Sequence, residues 1–99
     1  MHKALLLLKK IPQGKITTYG ELAAVCKTSP RAIGSIMRSN KNPDEYPCFK
    51  VIHNDGRLGG YNGISNIKRK IQLLRKDGIV VKNGRIELEK YMHMFRRKV

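Results

Sequence analysis

Residues 18–38 read TYGELAAVCKTSPRAIGSIMR, and this stretch decides the fold prediction. Thr18 and Glu21 have the spacing of a capping box, in which the hydroxyl of the first residue accepts a hydrogen bond from the amide of the fourth, so a helix is expected to begin here. Ser29 followed by Pro30 marks a second helix start, because serine is a good N-cap and proline is tolerated at the first helical position. Two short helices joined by a tight turn form a helix-turn-helix pattern.

The second of these helices, from Arg31 to about Arg38, has two different faces. No acidic residue lies between Glu21 and Asp44, whereas several basic residues do. The positions spaced for burial are Ala32, Ile33, Ile36 and Met37. The positions expected to face outward are Arg31, Ser35, Arg38 and Ser39. The basic outer face indicates contact with nucleic acid, and the alternative is a plain helical hairpin inside a core.

The composition favours the same class of partner. The chain has 99 residues, with 21 Lys and Arg against 7 Asp and Glu, and a formal net charge of +14. This length predicts one domain, residues 1–99. Such a charge favours a polyanion, and the spread of basic residues over several elements favours nucleic acid over an anionic membrane surface. No apolar run approaches the roughly 20 residues that span a bilayer, and two cysteines make no disulfide framework, so we expect a cytoplasmic protein without a membrane partner.

The flanking segments complete a mainly helical prediction. Residues 2–10 and 65–76 are each expected to form a helix, and one or two helical turns over 89–95 precede a basic tail. A β-hairpin is predicted over 79–88, because Asn-Gly between apolar runs is the strongest short hairpin signal. We therefore predict a mainly α, winged-helix-like helix-turn-helix DNA-binding domain with a small C-terminal β-hairpin.

Cys48 is the candidate nucleophile with the most suggestive surroundings. It follows Pro47 and stands two residues before Lys50, a cation that could raise the thiolate fraction. The alternative is a buried structural cysteine, which is how we interpret Cys26 on an apolar helix face. The cysteines and histidines of the chain do not occur in the closely spaced pairs that a zinc site requires, so we expect no metal and no cofactor. The residues considered for zinc are Cys26, Cys48, His53 and His93.

Several segments occur in the order and spacing of a known family. They are IP at 11–12, TTYGELA at 17–23, SPRAIG at 29–34, Asn40, PCFKVI at 47–52 and GGYNG at 59–63. Together they resemble the DNA-binding, active-site domain of O6-alkylguanine-DNA alkyltransferases (methylated-DNA–protein-cysteine methyltransferases) and of the related alkyltransferase-like proteins. The resemblance covers about residues 3–78 and leaves the C-terminal segment outside it.

The resemblance implies roles for individual residues. Arg31 would be the finger that holds the place of a flipped nucleotide, and Tyr19 would crowd the phosphate and contact the extruded guanine. Asn40 would brace the active-site turn, and Cys48 would accept the alkyl group. The remaining residues expected to line the guanine pocket or contact DNA are Ser29, Arg38, Lys50, Val51, Tyr61, Asn62 and Gly63.

The chain departs from the family pattern beside the acceptor. The family motif is Pro-Cys-His-Arg, whereas here Phe49 and Lys50 follow Cys48. Phenylalanine cannot accept a proton, so the His that passes a proton towards an acid is missing. Asp77 stands where the family has its acid, one methylene shorter and with no His to orient.

Three functions remain open from the sequence. The first is repair by irreversible transfer of the alkyl group from O6-alkylguanine to Cys48. The second is a non-catalytic sensor that binds alkylguanine and recruits other repair factors, which Phe49 favours. The third is a basic helix-turn-helix protein with no lesion chemistry. In the first two, the resemblance implies a monomer bound in the minor groove of duplex DNA.

Overall fold

The computed structural model describes residues 2–42, 44–58 and 67–95. In chain order these form α1 (Lys3–Leu8), β1 (Thr17–Thr18), α2 (Tyr19–Cys26), α3 (Pro30–Arg38), a 3-10 helix (Cys48–Lys50), β2 (Val51–Ile52), α4 (Ile67–Lys76) and α5 (Leu88–Tyr91). The described part of the chain is thus mostly helical, with β1 and β2 forming a small parallel sheet. None of its helices is both long enough and apolar enough to cross a bilayer.

Both predicted starts of the central helices are confirmed. The Thr18 hydroxyl accepts the amide of Glu21 at 3.1 Å, and α2 begins at the next residue after Thr18. The Ser29 hydroxyl accepts the amide of Ala32 at 3.1 Å, with Pro30 as the first residue of α3. These side chains satisfy amides that have no partner within the helix, so the capping residues fix where each helix begins.

The sheet separates two apolar clusters. Successive strand residues point to opposite faces, so Val51 lies in one cluster and Ile52 in the other. The first cluster is built from α1, α2 and α3 and includes Cys48. The second contains Leu74 of α4 together with Ile16 and residues of the C-terminal segment. The 3-10 helix therefore joins the helix-turn-helix to the rest of the core.

The predicted hairpin over 79–88 is wrong in its strands, and the winged-helix-like part of the prediction is not confirmed. The turn itself is present, because Asn83 and Gly84 have φ values of 52° and 71°, as an Asn-Gly hairpin turn requires. Pairing across the turn is limited to one bridge between Lys82 and Arg85. The backbone after the turn pairs elsewhere, since the amide of Leu58 donates to Gly84 and the carbonyl of Gly56 accepts Ile86. Ile79, Val81 and Ile86 are all drawn into the second cluster.

The C-terminal segment is fastened to β1 and α2. Ile16 donates its amide to the Tyr91 carbonyl at 2.8 Å and accepts the amide of His93 at 2.7 Å. The carboxylate of Glu21, a buried residue, accepts the amide of Phe95 at 2.9 Å. Residues after α5 thus run beside the start of the helix-turn-helix.

A buried ion pair fastens the loop after α1 to the end of α4. The Lys50 ammonium lies 3.0 Å from Asp77 Oδ2, with the two side chains only 6% and 16% exposed. Lys50 also donates to the Pro12 carbonyl at 3.0 Å, and the Gly14 amide donates to Asp77 at 2.9 Å. Asp77 therefore has a partner that the sequence did not predict, and Lys50 lies inside the fold.

Replacing Asp77 by Asn should destabilise the fold. The amide can still accept from Gly14 but leaves the Lys50 charge buried without its counter-ion, which costs about 3 kcal/mol. Chemical denaturation of Asp77→Asn beside the native chain measures this free energy. Glu45→Gln is the matched control, because the Lys9–Glu45 pair is exposed and should change stability little. Equal stability losses in both variants would contradict a special role for the buried pair.

Candidate functional site

Cys48 lies at the first position of the 3-10 helix and is 4% exposed. Its amide donates to the Tyr46 carbonyl at 2.7 Å, and its own carbonyl accepts the amide of Val51. Burial raises the pKa of the Cys48 thiol, while a hydrogen bond from Asn40, the nearby Lys70 charge and its own backbone amide act to lower it. The thiol thus belongs to the first apolar cluster, and its burial is the largest influence on its pKa. It is a free thiol, as is Cys26.

Asn40 supports the turn that carries the thiol. The side chain is 4% exposed, and its Nδ2 donates to the carbonyl of Tyr46 at 2.8 Å. Its Oδ1 accepts the amide of Asn42 at 3.0 Å. These two bonds tie the end of α3 to the residues that lead into Cys48.

Tyr19 begins α2 and packs against the first apolar cluster, which includes Cys48. Burial raises the pKa of the Tyr19 phenol, the Cys48 thiolate raises it further, and the Arg38 charge opposes the shift. The Tyr19 ring lies 5.3 Å from the ring of His53, centroid to centroid. The next amide, of Gly20, donates to Asn54 at 2.9 Å, and a Cβ there would lie 2.6 Å from that side chain. A glycine is therefore needed for this close approach.

An open cleft of about 290 Å³ lies beside Tyr19. Its walls are Tyr19, Pro30, His53, Asn54, Asp55 and Arg57. Because Pro30 begins α3, the cleft brings the start of that helix next to the Tyr19 ring. The sequence analysis considered His53 only as a zinc ligand and did not consider Asn54. The available signal was their position directly after the buried strand β2.

The outward face of α3 is basic, as predicted. Arg31 and Arg38 are exposed, and Arg38 donates to Ser35 at 3.2 Å. Ser29 is also exposed, although its hydroxyl is engaged in capping the helix. The two exposed guanidinium groups therefore lie on α3, the helix whose first residue, Pro30, forms part of the wall of the Tyr19 cleft.

The structure corrects the expectation that Lys50 contacts DNA or substrate. Its ammonium is buried against Asp77 and lies 5.9 Å from the Phe49 ring centroid. Phe49 itself packs against the second apolar cluster. We therefore assign Lys50 to the ion pair that holds the fold. The Asp77 carboxylate is accordingly paired with the Lys50 ammonium, although the chain has no His at position 49.

Lys70 is the site residue that sequence reasoning missed. It lies on α4, is 0% exposed, and donates to the carbonyl of Val51 at 2.7 Å and of Leu58 at 2.6 Å. Burial lowers the pKa of Lys70 from 10.5 to about 8, and the Cys48 thiolate opposes this shift. Its spacing in the sequence could have indicated that it is buried, because Lys70 and Leu74 are one helical turn apart and so lie on the same face of α4.

Part of the predicted guanine pocket lies outside the described residues. Tyr61, Asn62 and Gly63 are among the positions that the structure does not describe. Val51, which was expected to line that pocket, is 0% exposed, and its carbonyl accepts a hydrogen bond from the Lys70 ammonium. Within the described ranges, no three His, Cys, Asp or Glu side chains gather as metal ligands.

Similar proteins place the chain in a family. A model of the DNA-binding domain of 6-O-methylguanine DNA methyltransferase matches residues 1–79. A bifunctional methyltransferase/endonuclease from Picrophilus torridus is 46% identical over 87 residues, which are 86% of this chain and 28% of that protein. The chain thus spans about a quarter of the length of that relative.

Two solved structures match the fold. O6-methylguanine-DNA methyltransferase from Pyrococcus kodakaraensis superposes with a TM-score of 0.70 at 40% identity, covering 78% of this chain and 44% of that one. The S. pombe protein ATL in complex with DNA superposes with a TM-score of 0.78 at 26% identity, covering 92% of this chain and 91% of that one. From its sequence motifs, its fold and these matches, the chain belongs to the 6-O-methylguanine DNA methyltransferase family, over that family's DNA-binding domain.

Proposed function

We propose that this chain binds duplex DNA containing O6-alkylguanine and transfers the alkyl group once, to Cys48. The observation that carries the proposal is a free, buried thiol at the start of the 3-10 helix, in a turn braced by Asn40 and in the apolar cluster against which Tyr19 packs. The two solved relatives support it, since one is named as a DNA methyltransferase and the other was solved with DNA.

The transfer is a displacement at the alkyl carbon. The Cys48 sulfur, as thiolate, forms a bond to that carbon while the bond from the carbon to O6 breaks. The electron pair of the broken bond stays on guanine, which then takes up one proton. Because the thiol had released one proton, the step produces no net change in protons. The product is a thioether, and nothing in this sequence of steps regenerates the thiol, so each molecule acts once.

The basic face of α3 supports binding to the DNA backbone. Arg31 and Arg38 are exposed there, and neutralising phosphates makes affinity fall steeply with salt. We place this helix in the minor groove, with Arg31 occupying the space of an extruded guanine. Extrusion costs a few kcal/mol, least for a damaged base pair, which contributes to lesion selectivity.

Damage sensing without transfer is the second candidate function. Phe49 favours it, because this side chain packs in the second apolar cluster and offers the neighbouring thiol no proton acceptor. In this case the chain would bind alkylguanine as a monomer and recruit other repair factors. Both functions share the same DNA interface and differ only at Cys48.

Incubation with a duplex containing O6-methylguanine should add the mass of one methyl group to Cys48. Peptide mass spectrometry locates the methyl group, with Cys26→Ser as the control that retains transfer and Cys48→Ser as the variant that loses it. An unmodified Cys48 after hours at saturating DNA would exclude transfer. Preferential binding of the methylated duplex by Cys48→Ser would then establish the sensor, and equal binding of both duplexes would exclude it as well.

Arg31→Ala should reduce lesion preference more than Arg38→Ala does. Both variants lose one charge on α3, so each should lower the salt slope of binding by about 0.9. Loss of the inserted side chain in Arg31→Ala should additionally reduce the ratio of affinities for methylated and plain duplex, by about tenfold if 1.4 kcal/mol of extrusion energy is lost. Fluorescence anisotropy with both duplexes measures the ratio. An unchanged ratio in Arg31→Ala would contradict the finger role.

A further inference from the structure

We propose that the turn over residues 82–85, here called the basic turn, is a second contact with the DNA backbone beside helix α3. Its residues are Lys82, Asn83, Gly84 and Arg85, and all four are exposed. They lie beyond residue 79, where the match to the family's DNA-binding domain ends. The inference rests on the proposed binding of duplex DNA and adds a surface to it, whose ligands are phosphates flanking the segment bound by α3.

The basic turn is docked on the loop that follows β2. The amide of Leu58 donates to the Gly84 carbonyl at 3.3 Å, and the amide of Ile86 donates to the Gly56 carbonyl at 3.0 Å. Gly56 has a φ of 91°, and a Cβ there would lie 2.7 Å from the Ile86 carbonyl oxygen, so this approach requires glycine. Val81 and Ile86, which flank the turn, are buried in the second apolar cluster. The basic turn therefore has a fixed place on the fold.

This docking puts the basic turn beside the Tyr19 cleft. Arg85 pairs with Arg57 in an antiparallel bridge, and Arg57 and Asp55 both belong to the cleft wall. Pro30, the first residue of α3, belongs to the same wall. The cleft is thus bordered by the start of the basic helix and by the loop on which the basic turn is docked. A duplex held by α3 at this cleft comes within reach of the basic turn.

The basic turn brings like charges together. Arg85 pairs with Arg57 on the loop after β2 and with Lys82 across the turn. Like charges directly opposite each other on paired backbone segments are destabilising. Arg57 is neutralised by Asp55, with Nε 2.8 Å from Oδ2, whereas Lys82 and Arg85 form no salt bridge with any of the described residues. The chain therefore carries an electrostatic cost at this place, and a bound polyanion relieves it.

The neighbouring acids do not cancel this charge. The pKa of Asp55 is lowered, first by the hydrogen bond from the Arg57 amide and in smaller part by the charges of Arg57 and Arg85. Asp55 is therefore ionised at neutral pH, but its partner is Arg57. Glu87, which follows the turn, makes no salt bridge with it within the described ranges. Two positive charges remain for a ligand.

Backbone phosphates are the ligands that this arrangement fits. Lys and Arg contacts with phosphates fix the orientation of a protein on a duplex without reading its sequence. The basic turn and the exposed Arg31 and Arg38 of α3 belong to different elements, so contacts from both fix the direction in which the duplex crosses the cleft. The side-chain amide of Asn83 supplies a further donor for a phosphate oxygen.

Replacing Lys82 and Arg85 together by Gln should lower the salt dependence of DNA binding. Each lost phosphate contact reduces the slope of log affinity against log salt by about 0.9, so the double variant should lose about 1.8. Plain and methylated duplexes should be affected equally, because phosphate contacts carry no information about the base. Fluorescence anisotropy over a series of salt concentrations measures both slopes.

Lys15→Gln with Lys90→Gln is the matched control for this experiment. It also removes two exposed charges, and these lie before β1, where the Lys15 ammonium donates to the Lys90 carbonyl. The cleft lies at the other end of the strands, after β1 and β2, so the control should nearly keep the native slope. Equal slopes in the two double variants would overturn the inference alone. A native chain that binds neither duplex would overturn the proposed function together with it.

Lys82→Gln should also stabilise the chain in the absence of DNA. The change removes the like charge opposite Arg85, so the unfolding temperature at low salt should rise by a few degrees. The gain should shrink when added salt screens the charges. Circular dichroism during heating measures the unfolding temperature. A lower unfolding temperature would show that Lys82 serves the fold, and it would overturn the inference.

Cross-linking locates the contact on the duplex. Asn83→Cys is made in a chain that also carries Cys26→Ser and Cys48→Ser, and each duplex carries a mixed disulfide tethered to one phosphate. The cysteine thiol exchanges with the tether and releases its small thiol. We expect cross-links to neighbouring phosphates on one side of the lesion, and none for Lys90→Cys in the same background. Because the acceptor thiol is absent, this result does not depend on alkyl transfer. The same cross-links in both variants, or none in either, would overturn the inference.

Discussion

The site depends on one short piece of backbone pairing. Thr17 pairs with Val51 and Thr18 with Ile52, in parallel. Parallel strands cannot be joined by a tight turn and need a longer crossover, which here contains α2 and α3. The residue after β1 is Tyr19 and the residue after β2 is His53, so the register explains why their rings lie 5.3 Å apart. The same pairing brings Pro30, the first residue of the basic helix α3, and His53 to the walls of one cleft beside Tyr19.

This chain places two lysines inside its fold in different ways. Lys50 is neutralised by Asp77, and the pair fastens the loop after α1 to the end of α4. Lys70 instead donates to the backbone carbonyls of Val51 and Leu58. Burying an ammonium costs several kcal/mol unless it is paired or hydrogen-bonded, so both positions are specific structural features. The first joins the loop after α1 to the end of α4, and the second joins α4 to β2 and to the loop that follows it.

Local signals predicted the central helices well and the C-terminal segment less well. Thr18 and Ser29 cap their helices as expected, because a cap bonds to an amide only three residues away. The Asn83-Gly84 turn was also correct, since it requires only the two residues that adopt positive φ. The strands on either side were wrong, because the chain after the turn pairs with residues near Gly56 and its apolar side chains enter the second cluster. Turn residues do not decide between two available pairing partners.

The sequence by itself determined the helix-turn-helix, the excess of positive charge, the family and the position of the candidate acceptor thiol. Each of these follows from residue types and spacings along the chain. Only the tertiary structure decided which lysines are buried and what they contact. Lys70 and the Val51 carbonyl are 19 residues apart, and no local pattern fixes a contact of that separation. The pKa of a buried group depends on the groups packed around it, so the electrostatics of Cys48 became visible only once α4 was placed against the 3-10 helix.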